Sequence, residues 1–235
     1  PVATHFSIAM KALKRSKHVF IEKPVTNTTD EAIRLRNMAA EASVKVQVGH
    51  VERFNPAFLN AHHLIANPIF VESHRFMEFY SKKKAVSVLN DLMVHDIDIL
   101  MQLVKSPIKK INANSVGILN GAPDMVSARI EFDNGCVANL SASRLAVKKM
   151  RITRVYQKDA SISINFLDNK TGIIKNSPEE GVNLKILEIE QSDAISNELP
   201  RFARCIQENT EPAVTLDHAI QALTVADLIE EKLRP

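Results

Sequence analysis

Two short stretches of this chain carry side chains that could do chemistry where a fold would present them. The first is Lys17 to Pro24, which reads as a short buried strand ending in Glu22 and Lys23. Pro24 cannot donate to a sheet ladder, so it ends the strand. Because ligands of open α/β sheets bind outside the carboxyl ends of the strands, this Glu-Lys pair is a candidate binding site.

The second stretch is Asn90 to Asp98, which lies within a predicted long helix over Val88 to Val104. Asp91 and His95 are four residues apart and therefore share a helix face. A carboxylate one turn from an imidazole fixes the tautomer of the imidazole and raises its basicity, which suits a general acid/base. An isolated pair of this kind is more often a solvated surface pair, because such pairs contribute only about 0.2–0.5 kcal/mol.

The elements that must position the first stretch alternate between helix and strand. Apolar spacing, the capping box at Thr28 to Glu31 and β-branched runs predict four elements: a helix over His5 to Arg15, a strand at 17–22, a helix after Thr28 and a strand over Val44 to Val48. Alternation of this kind indicates parallel strands joined by right-handed crossovers.

The pattern changes after this region. Asn55 and Pro56 predict the N-cap and first residue of a helix that reaches about Ala66. Ile69 to Phe79 alternates as a strand, and several strands follow the second candidate stretch. Asp133-Asn-Gly135 lies between two apolar runs and is a strong hairpin signal. Successive strands predict an antiparallel sheet in a second domain, followed by two helices over Leu199 to Cys205 and Asp217 to Leu233.

Composition narrows the possible functions. The chain has 235 residues and a formal net charge of +3, which is too small to indicate a nucleic-acid partner. No apolar run is long enough to cross a membrane. The two cysteines are typical of reduced core residues in a cytoplasmic protein. Asp96 and Asp98 have no convergent third ligand, so no metal site is predicted.

The sequence lacks the glycine-rich motif by which many dinucleotide-binding folds hold a pyrophosphate. None of the six forms the Gly-x-Gly-x-x-Gly spacing that lets a backbone approach a pyrophosphate. The chain begins at Pro1 without an initiator Met. We therefore expect the chain to be truncated at its amino terminus, with the phosphate-binding glycine loop lying before Pro1.

The order of the motifs resembles one known family. A strand-end Glu-Lys-Pro, the string Val48-Gly-His-Val-Glu-Arg-Phe-Asn-Pro56 and an Asp-x-x-x-His helix are similar to the Gfo/Idh/MocA oxidoreductases, the relatives of glucose–fructose oxidoreductase and inositol dehydrogenase. The resemblance implies an α/β chain: a partial Rossmann-type parallel sheet, then an α+β domain with a large, mostly antiparallel sheet. The implied boundaries are 1–53 for the cofactor domain and 54–235 for the substrate-binding and oligomerisation domain, whose closing helix could pack back on the first domain.

The resemblance also implies roles for individual residues. Three match the family's catalytic set, with a catalytic lysine, an acid/base histidine and its carboxylate partner: Lys23, His95 and Asp91. Four match cofactor contacts: Pro1, His5, Glu22 and Lys23. Four match substrate contacts: Arg53, Asn55, Asn90 and Arg144.

These roles fit alcohol oxidation. The reaction needs a base for the hydroxyl proton while hydride leaves carbon for the nicotinamide, and an imidazole suits that task near neutral pH. Lys23 can donate to the developing carbonyl oxygen. The resemblance implies NAD or NADP as cofactor, and a homodimer or homotetramer formed through the antiparallel sheet.

The finer resemblance concerns the substrate. The string Val46 to Ala57, with Lys148-Lys-Met-Arg151, looks like the branch that oxidises the 3-hydroxyl of UDP-N-acetylglucosamine-type sugars. Five basic residues would suit a diphosphate, although a solvated basic strand face is the preferred explanation of them: Arg144, Lys148, Lys149, Arg151 and Arg154. Two alternatives stay open: a non-catalytic ligand-binding or assembly relative, and a biliverdin-reductase-like or dihydrodiol-type dehydrogenase.

Overall fold

The computed structural model describes residues 1–79, 87–119, 122–177, 181–188 and 194–233. The helices are α1 (Val2–Leu13), α2 (Thr29–Glu41), α3 (Pro56–Ala61), α4 (Val94–Leu103), α5 (Ala194–Gln207) and α6 (Leu216–Leu233). The strands are β1 (Val19–Glu22), β2 (Val46–Gly49), β3 (Phe70–Glu78), β4 (Ile108–Val116), β5 (Met125–Phe132), β6 (Val137–Ala146), β7 (Met150–Tyr156), β8 (Ala160–Asn165), β9 (Lys170–Ser177) and β10 (Gly181–Glu188).

The chain divides into two units. The first comprises Pro1–Phe54 and Ser192–Val225, and the second comprises Asn55–Gln191 and Ala226–Pro235. No helix among the described residues is both long and apolar enough to span a bilayer.

The first unit is built on a parallel strand pair. β1 and β2 pair in register from Val19 opposite Val46 to Glu22 opposite Gly49, as the helix–strand alternation predicts. The predicted cap of α2 is confirmed, because the Thr28 side chain accepts a hydrogen bond from the Glu31 N–H. The apolar core of this unit takes in residues of both strands and of α1, α2 and α6, among them Leu13, Ile21, Leu35, Val48 and Leu223.

The second unit contains an eight-stranded sheet in the order β10-β9-β8-β7-β3-β6-β5-β4. Every neighbouring pair is antiparallel except β3 and β6, which run parallel, so the predicted mostly antiparallel sheet is confirmed. The predicted hairpin joins β5 to β6. Gly135 has a φ of 86°, a left-handed conformation that a glycine adopts without strain, and its N–H donates to the Phe132 carbonyl.

Several predicted boundaries differ from those in the structure. The strand predicted over Val44 to Val48 runs from Val46 to Gly49, because the Val44 N–H instead closes the end of α2 on the Ala39 carbonyl. The helix opened by Asn55 ends at Ala61 and continues as a 3₁₀ turn over His62–Leu64.

The predicted long helix over Val88 to Val104 is present, but it is irregular at its start. Leu89–Met93 forms a π-helical turn, in which the Val94 N–H donates to the Leu89 carbonyl five residues earlier, and α4 follows. π-turns are rare and are found mainly within α-helices, frequently at functional sites.

Candidate active site

In the first unit, the predicted cofactor residues lie around the end of β1. Glu22 is exposed and Lys23 is half-buried. The half-buried His5 ring comes from α1, with Nδ1 2.9 Å from the Pro24 carbonyl oxygen. A carbonyl only accepts, so Nδ1 donates its proton, and in the neutral ring Nε2 is the acceptor. Local structure therefore places His5, Glu22 and Lys23 in one region.

Pro1, the fourth predicted cofactor residue, is exposed immediately before α1. Its carbonyl accepts hydrogen bonds from the N–H and the hydroxyl of Thr4, at 2.9 and 2.8 Å. The contact with a cofactor stays a prediction.

Gly49 shapes the position of the Glu22 side chain, and sequence reasoning assigned it no role. The two residues are opposite one another in the β1–β2 pair. A Cβ atom at position 49 would lie 2.7 Å from Oε2 of Glu22. The missing side chain of Gly49 therefore makes the room in which the Glu22 carboxylate lies.

Glu198 is a second feature of this unit that sequence reasoning missed. It lies on α5 and is only 3% exposed. Burial raises its pKa, and the negative charge of Glu22 raises it further, to about 7. Its backbone carbonyl accepts a hydrogen bond from the amide of the buried Gln47 at 3.4 Å.

A sequence signal for Glu198 did exist. Glu198, Phe202 and Cys205 are the buried residues of α5, and they follow the i, i+4, i+7 spacing of an apolar helix face. The ring of Phe202 is 6.3 Å from that of Phe20 on β1, which brings this face onto the strand. A glutamate on such a face is a buried acid, and its neutral form is favoured there.

In the second unit, the π-turn and α4 present three predicted site residues together. Between Val88 and Val104, every residue is buried except Asn90, Asp91, His95 and Gln102. Three of these four are the predicted substrate, carboxylate and acid/base positions. Partial exposure of these three side chains on an otherwise buried helix is what a site residue requires.

Arg53 and Asn55 are both buried. Arg53 lies in the 3₁₀ turn Val51–Phe54 of the first unit, and its N–H donates to the His50 carbonyl. Asn55 begins the second unit, where its side-chain oxygen caps α3 at the Ala57 N–H and its NH₂ donates to the Phe166 carbonyl. The Asn55 amide is therefore used within the fold, and its substrate contact stays a prediction.

Arg144 has a carboxylate neighbour in the second unit. Its Nε is 3.8 Å from Oδ1 of Asp124, and Oδ2 of Asp124 accepts from the N–H groups of Ile118 and Leu119 at 2.8 Å each. Burial alone would raise the pKa of Asp124. The two N–H groups and the Arg144 guanidinium outweigh that effect and hold the pKa below its ordinary value.

The five basic residues proposed for a diphosphate do not form one cluster. Lys148, Lys149 and Arg151 line a surface pocket of about 480 Å³. Arg154 instead pairs with Glu72 at 3.2 Å on the sheet. Three of the five therefore share a concave surface.

Lys23 lies in the first unit, whereas Asp91 and His95 lie in the second. That these three side chains act together stays a prediction. Within the described residues, no group of three or more His, Cys, Asp or Glu side chains is arranged to hold a metal ion.

Comparison with known proteins places these features in a wider context. Residues 1–50 match the model described as an oxidoreductase family with an NAD-binding Rossmann fold. Residues 55–163 match the model of the GFO/IDH/MocA C-terminal domain. Both matches agree with the resemblance inferred from the motifs.

Similar individual proteins were also found. UDP-N-acetylglucosamine 3-dehydrogenase of Acidithiobacillus ferrooxidans is 31% identical over 214 residues, covering 88% of this chain and 68% of that protein. The NAD(+)-dependent scyllo-inositol 2-dehydrogenase of Bacillus subtilis is 28% identical, covering 92% and 68%. The solved structure of the Acidithiobacillus enzyme GnnA superposes with a TM-score of 0.94 at 28% identity, covering 99% of this chain and 76% of that one.

Proposed function

The chain belongs to the Gfo/Idh/MocA family of NAD-binding oxidoreductases, and we propose that it transfers hydride between a nicotinamide cofactor and a secondary hydroxyl of a sugar or nucleotide sugar. The observation that carries the proposal is the partly exposed face formed by Asn90, Asp91 and His95 on an otherwise buried π-turn and helix. The similar proteins are named as dehydrogenases, which favours an enzyme over a non-catalytic relative.

In the proposed mechanism, His95 is the base. One ring nitrogen of His95 takes the proton of the substrate hydroxyl, and Asp91, one turn away, stabilises the imidazolium that forms. The Lys23 ammonium donates to the oxygen as it becomes a carbonyl. A nicotinamide cofactor, when bound, would supply the acceptor for the hydride of the carbinol carbon.

The residues around β1 fit a cofactor. The Glu22 carboxylate is held over Gly49 at the strand end, and the His5 ring is held by the Pro24 carbonyl with Nε2 available as an acceptor. We propose that Pro1, His5, Glu22 and Lys23 contact the nicotinamide end of NAD or NADP. The segment 1–53 of the first unit would then be the carboxyl-terminal part of a Rossmann domain.

We further propose a nucleotide sugar as the substrate. The support is the 31% identity to a UDP-N-acetylglucosamine 3-dehydrogenase and the pocket lined by Lys148, Lys149 and Arg151, whose charges suit a diphosphate. The substrate contacts of Arg53, Asn55, Asn90 and Arg144 belong to the same proposal, as does the assignment of 54–235 to substrate binding and oligomerisation.

A homo-oligomer formed through the eight-stranded sheet is also part of the proposal. Leu184 lies opposite Ile174 in the β9–β10 pair, and Val182 and Ile186 share their face at alternate positions. These four apolar side chains are between 48% and 75% exposed. A contiguous exposed apolar patch is typical of a protein–protein contact.

Cys136 and Cys205 are free and buried, which supports a reducing, cytoplasmic location.

Two substitutions test the enzymatic proposal. Lys23→Met and His95→Gln, each made in the protein expressed from its complete reading frame, should lower the rate of NAD(P)⁺ reduction by UDP-N-acetylglucosamine by about 10²–10⁴-fold. Matched controls are Lys17→Met and His63→Gln, which replace exposed residues of the same types. Unchanged turnover in both site variants, or no reduction with any sugar, would refute the proposal.

A further inference from the structure

A buried ion pair ties α4 to the sheet directly behind the proposed site. Arg75 on β3 donates from Nε to Oδ2 of Asp96 at 2.8 Å and from a terminal guanidinium nitrogen to Oδ1 at 3.1 Å. The two side chains are 3% and 4% exposed. The Asp96 carboxylate therefore receives both arms of the guanidinium in a buried part of the second unit.

Two hydroxyl groups extend this network. The Ser73 hydroxyl donates to Oδ1 of Asp96 at 3.0 Å, and it lies 3.0 Å from the Thr153 hydroxyl on the neighbouring strand β7. Asp96 thus accepts three hydrogen bonds from two residues of β3. The helix is held to the sheet by directional bonds as well as by apolar packing.

Stability alone does not account for such a pair. Removing two charges from water is costly, and well-packed apolar residues of similar volume often replace a buried ion pair with no loss of stability. Apolar residues cannot reproduce the directionality of the hydrogen bonds in such a pair. A bidentate guanidinium–carboxylate pair is formed in one geometry, so it fixes the rotation and register of the helix that carries the carboxylate.

The position of Asp96 next to His95 means that the orientation of the helix bears directly on the proposed site. Asp96 directly follows His95, and both follow the π-turn Leu89–Met93. In that turn the Val94 N–H bonds to a carbonyl five residues back, so the regular α-helical hydrogen bonding is interrupted just before His95. Because the backbone hydrogen bonds before His95 are irregular, they restrain the orientation of the following helix less than a regular helix would. A bond from Asp96 to a neighbouring strand can supply that restraint.

We propose that Arg75, Asp96, Ser73 and Thr153 are positioning residues that hold His95 and Asp91 in the geometry needed for proton transfer. The network touches neither substrate nor cofactor in this scheme and acts through the orientation of the helix. The inference rests on the proposed function of His95 and Asp91, and its test must distinguish the two.

The test is a charge-free replacement of the pair. The double variant Arg75→Met/Asp96→Leu, made in the protein from its complete reading frame, is compared with wild type for thermal unfolding, kcat, the KM for NAD(P)⁺ and the pH dependence of kcat. The double variant should unfold near the wild-type temperature. Its kcat should fall on the order of 10²-fold, the cost of a misplaced catalytic group, with an unchanged cofactor KM and a displaced acidic limb of the pH profile.

The opposite result is equally clear. A double variant that folds and keeps the wild-type kcat and pH profile shows that the pair is merely structural, which overturns the proposal. The single variants His95→Gln and Lys23→Met separate the two proposals. If both keep their turnover, the proposed function fails; if both are inactive while the Arg75→Met/Asp96→Leu variant is fully active, only the positioning role fails.

Thr153→Val covers the case in which the double variant does not fold. Valine has nearly the volume of threonine but lacks the hydroxyl that bonds to Ser73. We expect a folded protein with a kcat lowered about threefold to tenfold and an unchanged cofactor KM. Wild-type kcat in Thr153→Val and in the isosteric Asp96→Asn variant would overturn the positioning role.

Discussion

Replacing Glu198 by glutamine should increase the stability of the protein relative to wild type, and this gain should grow as the pH rises. The side chain is 3% exposed, and its desolvation together with the charge of Glu22 raises its pKa from 4.5 to about 7. Glutamine has nearly the same shape and stays neutral at every pH. The substitution therefore removes the cost of ionising a buried carboxyl and changes little else in the packing of α5.

The expected magnitude follows from that pKa. Between pH 4.5 and 7, the folded protein holds a proton on Glu198 that the unfolded chain has released, so the free energy of unfolding falls as the pH rises through this window. At about 1.4 kcal/mol per pH unit, the loss reaches about 3 kcal/mol by pH 8. The glutamine variant avoids this loss, while at pH 4.5 and below the two proteins should have similar stability.

Urea unfolding at intervals from pH 5 to pH 8.5 measures the effect. The difference in free energy of unfolding between Glu198→Gln and wild type should grow in favour of the variant across this range. For the control Glu41→Gln, at an exposed helix position of the same unit, the difference in free energy of unfolding from wild type should stay constant across this pH range. Glu22→Gln removes the charge next to Glu198, so in a protein that keeps Glu198 the free energy of unfolding should fall less steeply with pH than in wild type. A constant difference between Glu198→Gln and wild type would refute the reasoning.

Two further substitutions test local geometry. Gly49→Ala places a methyl group 2.7 Å from the Glu22 carboxylate, so the carboxylate must move. We expect the KM for NAD(P)⁺ to rise about fivefold, which corresponds to one hydrogen bond of ~1 kcal/mol, with little change in melting temperature. An unchanged KM would argue against a cofactor contact by Glu22. Asn55→Ala removes both the cap of α3 and the hydrogen bond to the Phe166 carbonyl, and it should lower the free energy of unfolding in urea by about 2 kcal/mol, roughly 1 kcal/mol for each. Asn55→Ser keeps a capping oxygen but not the bond to Phe166, so it should recover about half of that loss; equal losses in both variants would contradict the capping role.

Several elements could be predicted because their determinants are local. The α2 cap joins Thr28 to Glu31, and the Asn55 cap joins neighbours two residues apart. The β5–β6 hairpin depends on one glycine at a positive φ. In each case the bonded groups are within a few residues of one another in the chain, so residue type and spacing are sufficient to predict the feature.

The π-turn could not be predicted in this way. Its apolar residues are buried along with those of α4, and an α-helix and a π-turn place residues four positions apart on nearly the same face. The apolar pattern of Val88 to Val104 is therefore compatible with both. The turn contacts β6, a strand distant in the chain, and tertiary contacts of this kind commonly override local helix propensity.

The sequence by itself determined the alternating order of the first elements, the antiparallel character of the later sheet, the family and the residue types that could oxidise an alcohol. Only the tertiary structure decided which distant groups meet. Glu22 lies over Gly49, Glu198 is buried near Glu22, and Asp96 receives Arg75 from another element. The physical reason is range: a cap or turn is closed by residues that are neighbours in the chain, whereas the dielectric around a carboxylate and its ion-pair partner depend on segments that the fold brings together.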